Sequence, residues 1–275
     1  MENVKVVLKS KDDKVLFEDD TADNIASVFE NAASKKVDLT GLDLSAIEYA
    51  NVSCNPSDMP KNYNWRWDEE FCVHGINAPN SSFSDEEIYG SDDVTEFTDC
   101  NLENTEIWLY EPKQLYFENC NLCGTEIYSE EYDLAEAEYK NCTFDLKTKL
   151  YHAGESMDIN ASATEDEDCY GYYNIKDCKL KLQDKLYDID KLVVCFTGVR
   201  DSNLAENMEK IGIKVVSSVT KACNVVVAKD VDTTSSKAKK VTEQGGVIVS
   251  YDDIKGFFSF LGGGDDEDEY GEEDW

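Results

Sequence analysis

The chain has 275 residues and a formal net charge of −33, from 59 Asp and Glu against 26 Lys and Arg. That balance repels nucleic-acid and membrane phosphates and points to basic proteins as partners. No apolar run approaches the ~18–20 residues that span a bilayer, and the start, MENVKVVLKSKDD, lacks a signal peptide's apolar stretch, so a cytoplasmic chain with reduced cysteines is expected.

The length allows two domains, each with its own core. The charge divides them. Residues 1–190 hold 43 acidic and 16 basic side chains, net −27, whereas 191–261 hold 8 acidic and 10 basic, net +2. Residues 262–275 hold eight acidic and no basic side chains.

In chain order, VKVVLKS and KVLFED flank Lys11-Asp12-Asp13 and predict a hairpin with alternating apolar residues. Thr21 precedes ADNIASVFENAAS, an amphipathic helix for which Thr21 is the expected N-cap. Residues 1–36 thus read as a cap over the open end of a repeat that starts at residue 37.

From residue 37 the apolar residues recur in fives. In VDLTGLDLSAIEYANVSC, Leu39, Leu44, Tyr49 and Cys54 are spaced by five, as are Val37, Leu42, Ile47 and Val52. Neither a helix nor a flat strand has that period. A square coil does: each block forms one side, and four blocks close a turn of twenty residues. FTDCNLENTEI at 97–107 returns twenty residues later as FENCNLCGTEI at 117–127. The inward pairs resume with Thr95/Phe97, Cys100/Leu102, Thr105/Ile107, Leu115/Phe117, Cys120/Leu122 and Thr125/Ile127, then Ala137/Tyr139 and Cys142/Phe144. Three or four such coils in 37–150 would make a rod of ~15–20 Å. Within it, residues 55–94, containing NYNWRWDEEF, break the count and read as an insertion or a distorted coil.

These residues resemble the pentapeptide-repeat family, whose motif is A(D/N)Lxx. The resemblance implies a right-handed quadrilateral β-helix, and the hairpin-helix start resembles the lead-in of pentapeptide proteins from phages. Some family members bind DNA gyrase by presenting a rod shaped and charged like duplex DNA. Cys100, Cys120 and Cys142 occupy equivalent inward positions and read as stacked core. Cys120-x-x-Cys123 is half of a zinc pattern without a second half, and His74 and His152 are the only histidines, so neither a metal nor a cofactor is expected.

Residues 151–190 read as an acidic connector ending in a strand pair. In 191–261, KLVVCFTG, KVVSSV, NVVVAK and VIVSY predict strands. DSNLAENMEKIG, capped by Asp201 or Ser202 and stopped at Gly212, predicts a helix, as do SSKAKKVTEQGG and YDDIKGFFSFL. The order β-α-β-β-α-β-α with continuous apolar strands implies a parallel sheet covered on both faces.

FTG at 196–198, IGIKVVSSVTKACNVVVAK at 211–229 and SSKAKKVTEQGGVIVS at 235–250 resemble the BRCT domain, most closely the single copy in NAD-dependent DNA ligases. In the last helix Ile254 stands where the family usually has an aromatic, leaving Phe257 and Phe258 to fill space. In phosphate-binding members a Thr hydroxyl, the next Gly N–H and a Lys opening the second helix meet an anion. The matching residues are Thr197, Gly198 and Lys237, and Arg200 adds a second cation. The alternative is a tight turn beside a solvated lysine. No nucleophile with a base, no P-loop and no nucleotide fingerprint is present, so no enzyme is expected.

The tail, GGGDDEDEYGEEDW, reads as a linker followed by like charges and is expected to be disordered when alone. It resembles the acidic, aromatic-ended tails of phage single-stranded-DNA-binding proteins. Asp265, Asp266, Glu267, Asp268 and Trp275, with Asp85, Glu86 and Glu87, are the candidate partner contacts.

The expected fold is therefore mainly β plus α/β: a capped, imperfect right-handed quadrilateral β-helix, then a BRCT-type parallel-sheet domain and a disordered tail. The expected function is a non-enzymatic DNA-mimicking inhibitor or decoy of a basic DNA-processing or DNA-sensing host protein. The alternatives are a repair or replication adaptor whose BRCT domain docks on DNA ends or a phosphorylated partner, and a virion structural component.

Overall fold

The computed structural model describes residues 5–21, 25–50, 71–84, 94–110, 114–130, 136–152, 157–159 and 171–259. They are strand-rich, with few helices, and most of the strand pairing is parallel.

Strands β1 (Lys5–Ser10) and β2 (Val15–Asp19) form the antiparallel hairpin, with Asp13 at φ +60° in its turn. Helix α1 (Ile25–Ser34) comes next. The chain then runs through β3 (Leu42–Ala50), β4 (Phe71–His74), β5 (Ser82–Ser84), β6 (Val94–Thr98) and β7 (Glu106–Tyr110). It continues through β8 (Gln114–Glu118), β9 (Glu126–Glu130), β10 (Glu136–Lys140), β11 (Thr143–Asp145) and β12 (Lys149–His152). Last in this half come β13 (Met157–Ile159), β14 (Gly171–Lys176), β15 (Lys179–Leu182) and β16 (Lys185–Asp188).

Successive strands alternate between two sheets. One sheet has the order β12-β9-β7-β5-β3-β1-β2, the other β13-β14-β10-β8-β6-β4. The third wall is a ladder of single parallel bridges, Asp38–Asn77–Asn101–Asn121–Thr143, continued by β11 on β15. That ladder has six rungs, more than the three or four coils counted in the sequence, and five strand spacings of ~4.8 Å make the stack about 24 Å tall.

The interior is set by this register. Val73, Phe97, Phe117, Tyr139 and Ile175 face one another across consecutive strands, and all are buried. Leu39, Ala78, Leu102, Leu122, Phe144 and Leu180 fill the third wall, and Ile107, Ile127 and Leu150 the first sheet. Each fully buried Leu or Phe contributes about 1.5–3 kcal/mol relative to exposure.

The polar inward positions are satisfied in the same rhythm. Thr105, Thr125 and Thr148 hydroxyls donate to the carbonyls of Ala78, Leu102 and Leu122, one layer back, at 3.0, 2.7 and 2.8 Å. Cys120, Cys142 and Cys178 thiols do likewise to Phe97, Phe117 and Tyr139. A buried hydroxyl without such a partner would cost about 1–3 kcal/mol. The corner before each of Cys100, Cys120, Cys142 and Cys178 needs a positive φ, and Asp99, Asn119, Asn141 and Asp177 supply it at 52–57°. Short Asx side chains tolerate that region best after glycine.

The C-terminal half contains β17 (Val193–Thr197), α2 (Ser202–Lys210), β18 (Lys214–Val216), β19 (Val225–Ala228), α3 (Ser236–Glu243), β20 (Val247–Ser250) and α4 (Tyr251–Ser259). The element order is the expected one. All strands are parallel, in the order β18-β17-β19-β20. Alternate residues serve opposite faces. Val194, Val225 and Val227 pack with Leu204, Met208, Ile254 and Phe258 of α2 and α4, while Cys195 and Val226 pack with Val219 and Val241. Asp201, not Ser202, caps α2, accepting from Leu204 N at 2.9 Å, and Gly212 ends it at φ +89°.

Three sequence expectations change. Residues 71–84 are a layer of the stack, since β4 and β5 pair in register with β6 and β7; residues 55–70 and 85–93 lie outside the described residues. Much of the 151–190 connector also belongs to the stack: β14 pairs with β10 and β15 with β11, before β15 and β16 close as an antiparallel pair. The hydroxyl of Thr21 donates to Asp19 Oδ1 at 2.7 Å, and residues 22–24, between it and α1, lie outside the described residues. The two halves also share one core. Phe257 lies 6.2 Å from Phe144, ring centre to ring centre, and Gln183 Nε2 donates to Ile248 O on the edge of β20.

No helix among the described residues is long and apolar enough to cross a membrane.

Candidate functional site

In the strand order β18-β17-β19-β20, the chain steps from β17 to one side and then returns to the other. The crevice beyond the carboxyl ends of β17 and β19 is therefore the topological switch point, where open parallel sheets bind ligands. The loop after β17 and the start of α3 meet there.

The structure brings three of the four expected residues together. Thr197 ends β17, and its hydroxyl donates to Ser235 Oγ at 3.3 Å. Ser235 is the N-cap of α3 and accepts from Ala238 N at 3.2 Å. Gly198 is exposed at φ +73°, with no atom within 4 Å of where a Cβ would stand. Lys237, in the first turn of α3, donates to Phe196 O and Ser217 O, both at 2.8 Å. Its ammonium therefore ties the ends of β17 and β18 together and uses two of its three donors. Arg200 is exposed in the same loop.

The loop is held from its far end as well. Tyr251 donates to Asp201 Oδ2 at 2.6 Å. Burial raises the Asp201 pKa, but the bonds from Leu204 N–H and the Tyr251 hydroxyl outweigh it and leave it below the usual carboxylate range. The same contact pushes the Tyr251 phenol up to about 12. A half-open rim of hydroxyl, glycine backbone and ammonium at a helix N-terminus can hold an anion. Ser235 and Tyr251 were missed from sequence, although Ser-Ser-Lys before a helix is a capping signal.

The acidic half has its own geometry. The connections after β3, β5, β7, β9 and β12, which lie outside the described residues, lead from the first sheet to the second, whereas residues 160–170, also outside them, join β13 to β14 within the second sheet. The return passages from the second sheet to the first run tightly through the rungs at Asn77, Asn101, Asn121 and Thr143. The segment DEEIYGSDD at 85–93, with five carboxylates and no cation, is one of those outgoing connections, whereas TEDED at 164–168 lies between β13 and β14 of the second sheet. The candidate contacts Asp85, Glu86 and Glu87, and Asp265, Asp266, Glu267, Asp268 and Trp275, all lie outside the described residues. Among described residues, Lys140 pairs with Glu118 and Lys149 with Glu126, each at 2.7 Å.

Among the described residues no group of three or more His, Cys, Asp or Glu side chains is placed to hold a metal ion. Cys123 is buried, and burial with the nearby Asp145 charge pushes its thiol up to about 11.

Comparison with family models, curated proteins and solved structures finds no match to the chain.

Proposed function

We propose that this chain is a non-enzymatic acidic interaction protein that occludes the nucleic-acid site of a basic DNA-processing or DNA-sensing protein. The stack is read as a pentapeptide-repeat β-helix of the right-handed quadrilateral type, and the C-terminal half as a BRCT domain. The observation that supports the reading is the in-register parallel stack, whose connections after β3, β5, β7, β9 and β12 all lead from the first sheet to the second, the acidic DEEIYGSDD among them. Duplex DNA carries about one charge per 1.7 Å, so a segment as tall as the stack, about 24 Å, presents roughly 14 charges.

The test is association kinetics with the protein's captured partner over a range of salt. Exposed charges are screened beyond ~8–10 Å at physiological ionic strength, so association slows steeply as salt rises. Changing Asp85→Asn, Glu86→Gln and Glu87→Gln together slows association more than it speeds release. Equal binding at low and high salt overturns the reading.

The adaptor reading is favoured by one observation, the gathering of Thr197, Gly198 and Lys237 at the switch point. Under it, the C-terminal half docks on a phosphorylated protein or a DNA end while the stack engages a second protein.

A further inference from the structure

The net charge of the C-terminal half differs between its two faces. From Val215 to Glu243, the end of α3, the chain holds five lysines (Lys221, Lys229, Lys237, Lys239 and Lys240) against Asp230, Asp232 and Glu243. On the opposite face, α2 and α4 carry Glu206, Glu209, Asp252 and Asp253 against Lys210 and Lys255. Lys237 and Lys240 draw the 217–219 loop onto the flank of α3 by donating to Ser217 O and Val219 O, which brings Lys221 toward the same flank. Lys221, Lys229 and Lys239 are exposed, and among the described residues none of them is in ion-pair contact with a carboxylate.

An exposed net-positive face is out of place on a chain of net −33 unless something covers it or uses it. The nearest complement is covalently attached. Residues 260–275 come directly after α4 and carry eight carboxylates and no cation. Sixteen residues reach up to about 55 Å when extended, with a root-mean-square span near 20–24 Å for a flexible chain. That is enough to pass around a small domain. Tethering of this length holds a ligand at millimolar effective concentration, so weak contacts suffice.

We propose that residues 260–275 dock on the lysine face formed by α3 and the 217–221 loop of the same chain. The tail then covers this net-positive face, and an outside polyanion reaches Lys237 only by displacing it. This goes beyond the occlusion reading and fails separately from it, because the tail can lie free while the stack still binds its partner.

The test compares amide spectra of the isotope-labelled full chain with those of a chain ending at Ser259, at about 0.01 M and about 1 M ionic strength, where the screening lengths are ~30 and ~3 Å. The expected differences are confined to residues 217–221 and 236–243 at low salt and vanish at high salt. A synthetic peptide of residues 260–275 added to the shortened chain restores them saturably. The triple change Lys221→Gln, Lys239→Gln and Lys240→Gln abolishes them while leaving the shifts of the stack unchanged. Superimposable spectra at low salt, or differences centred on another surface, overturn the proposal. So do differences that grow with protein concentration, which would place the tail on a second copy.

Discussion

Phe117 lies over Phe97 with ring centres 5.0 Å apart and planes 4° from parallel, and Tyr139 continues the column at 5.2 Å. Parallel in-register pairing places residues 97, 117 and 139 on adjacent strands, so the column repeats the strand spacing with aromatic rings. Removing one ring leaves a gap with intact neighbours above and below, which cannot close by sliding. Phe117→Ala is expected to cost about 3–5 kcal/mol and Leu122→Ala about 2–5 kcal/mol. Urea unfolding followed by circular dichroism measures both.

Asp19 ties the hairpin to α1. It accepts from Thr21 N and Oγ1 and from Asn31 Nδ2, the last at 2.7 Å. Burial raises its pKa, but those bonds prevail and hold it below the usual carboxylate range. A depressed carboxylate contributes stability above its unfolded pKa of about 3.9, and that stability is lost as pH falls through the folded value. Unfolding midpoints of the wild type should therefore drop at acid pH more than those of Asp19→Asn, which loses the charged acceptor at every pH.

The four stacked thiols Cys100, Cys120, Cys142 and Cys178 are buried and donate to carbonyls. Burial heads the causes that raise the Cys142 pKa, which leaves little thiolate to react. Iodoacetamide labelling read by mass spectrometry should spare these four in the native protein and modify them in denaturant. Fast native labelling of any one would contradict the packing.

Gly246 and Gly198 separate two uses of glycine. A Cβ at Gly246 would lie 2.6 Å from Asn224 O and from Val241 Cγ2, so Gly246→Ala must push β20 off its neighbour. A Cβ at Gly198 meets nothing, and Gly198→Ala carries only the strain of φ +73°, roughly 1–2 kcal/mol. Thermal unfolding should rank Gly246→Ala as the more damaging change.

Lys237 offers a two-part readout. Lys237→Ala removes the donor to Phe196 O and Ser217 O and is expected to weaken any binding of phosphopeptide or nicked duplex to the full chain. Ser235→Ala removes the partner of Thr197 and the cap of α3, costing about 1 kcal/mol of stability. Titrations of both variants check this; unchanged affinity in Lys237→Ala, or no binding by the wild type, leaves the lysine as a strand-end clamp.

Much of the stack was legible because its inward pairs alternate within each five-residue side, so Phe97/Phe117 and Leu102/Leu122 could be matched by eye. The number of layers was not. Rungs lie 20 residues apart between Asn101 and Asn121 but 24 between Asn77 and Asn101 and 39 between Asp38 and Asn77, because one passage per layer varies in length. A fixed count therefore lost 71–84 behind NYNWRWDEEF and 171–182 behind TEDED. A better signal was present: Asp99, Asn119, Asn141 and Asp177 each precede a buried cysteine at a corner that needs positive φ. In the C-terminal half, continuous apolar strands and capping residues revealed every element and brought Thr197, Gly198 and Lys237 to one crevice. The Ser235 partner and the Phe144–Phe257 contact join segments far apart in sequence, which no local pattern reports.

Competition by duplex DNA decides whether the acidic stack occludes a nucleic-acid site. A host DNA-binding protein captured on the immobilised full chain at low salt is challenged with a short duplex. The duplex is expected to release the captured protein in proportion to its occupancy of that protein's DNA site, and the chain in turn to displace labelled duplex from it. A stable ternary complex of chain, captured protein and duplex would contradict occlusion.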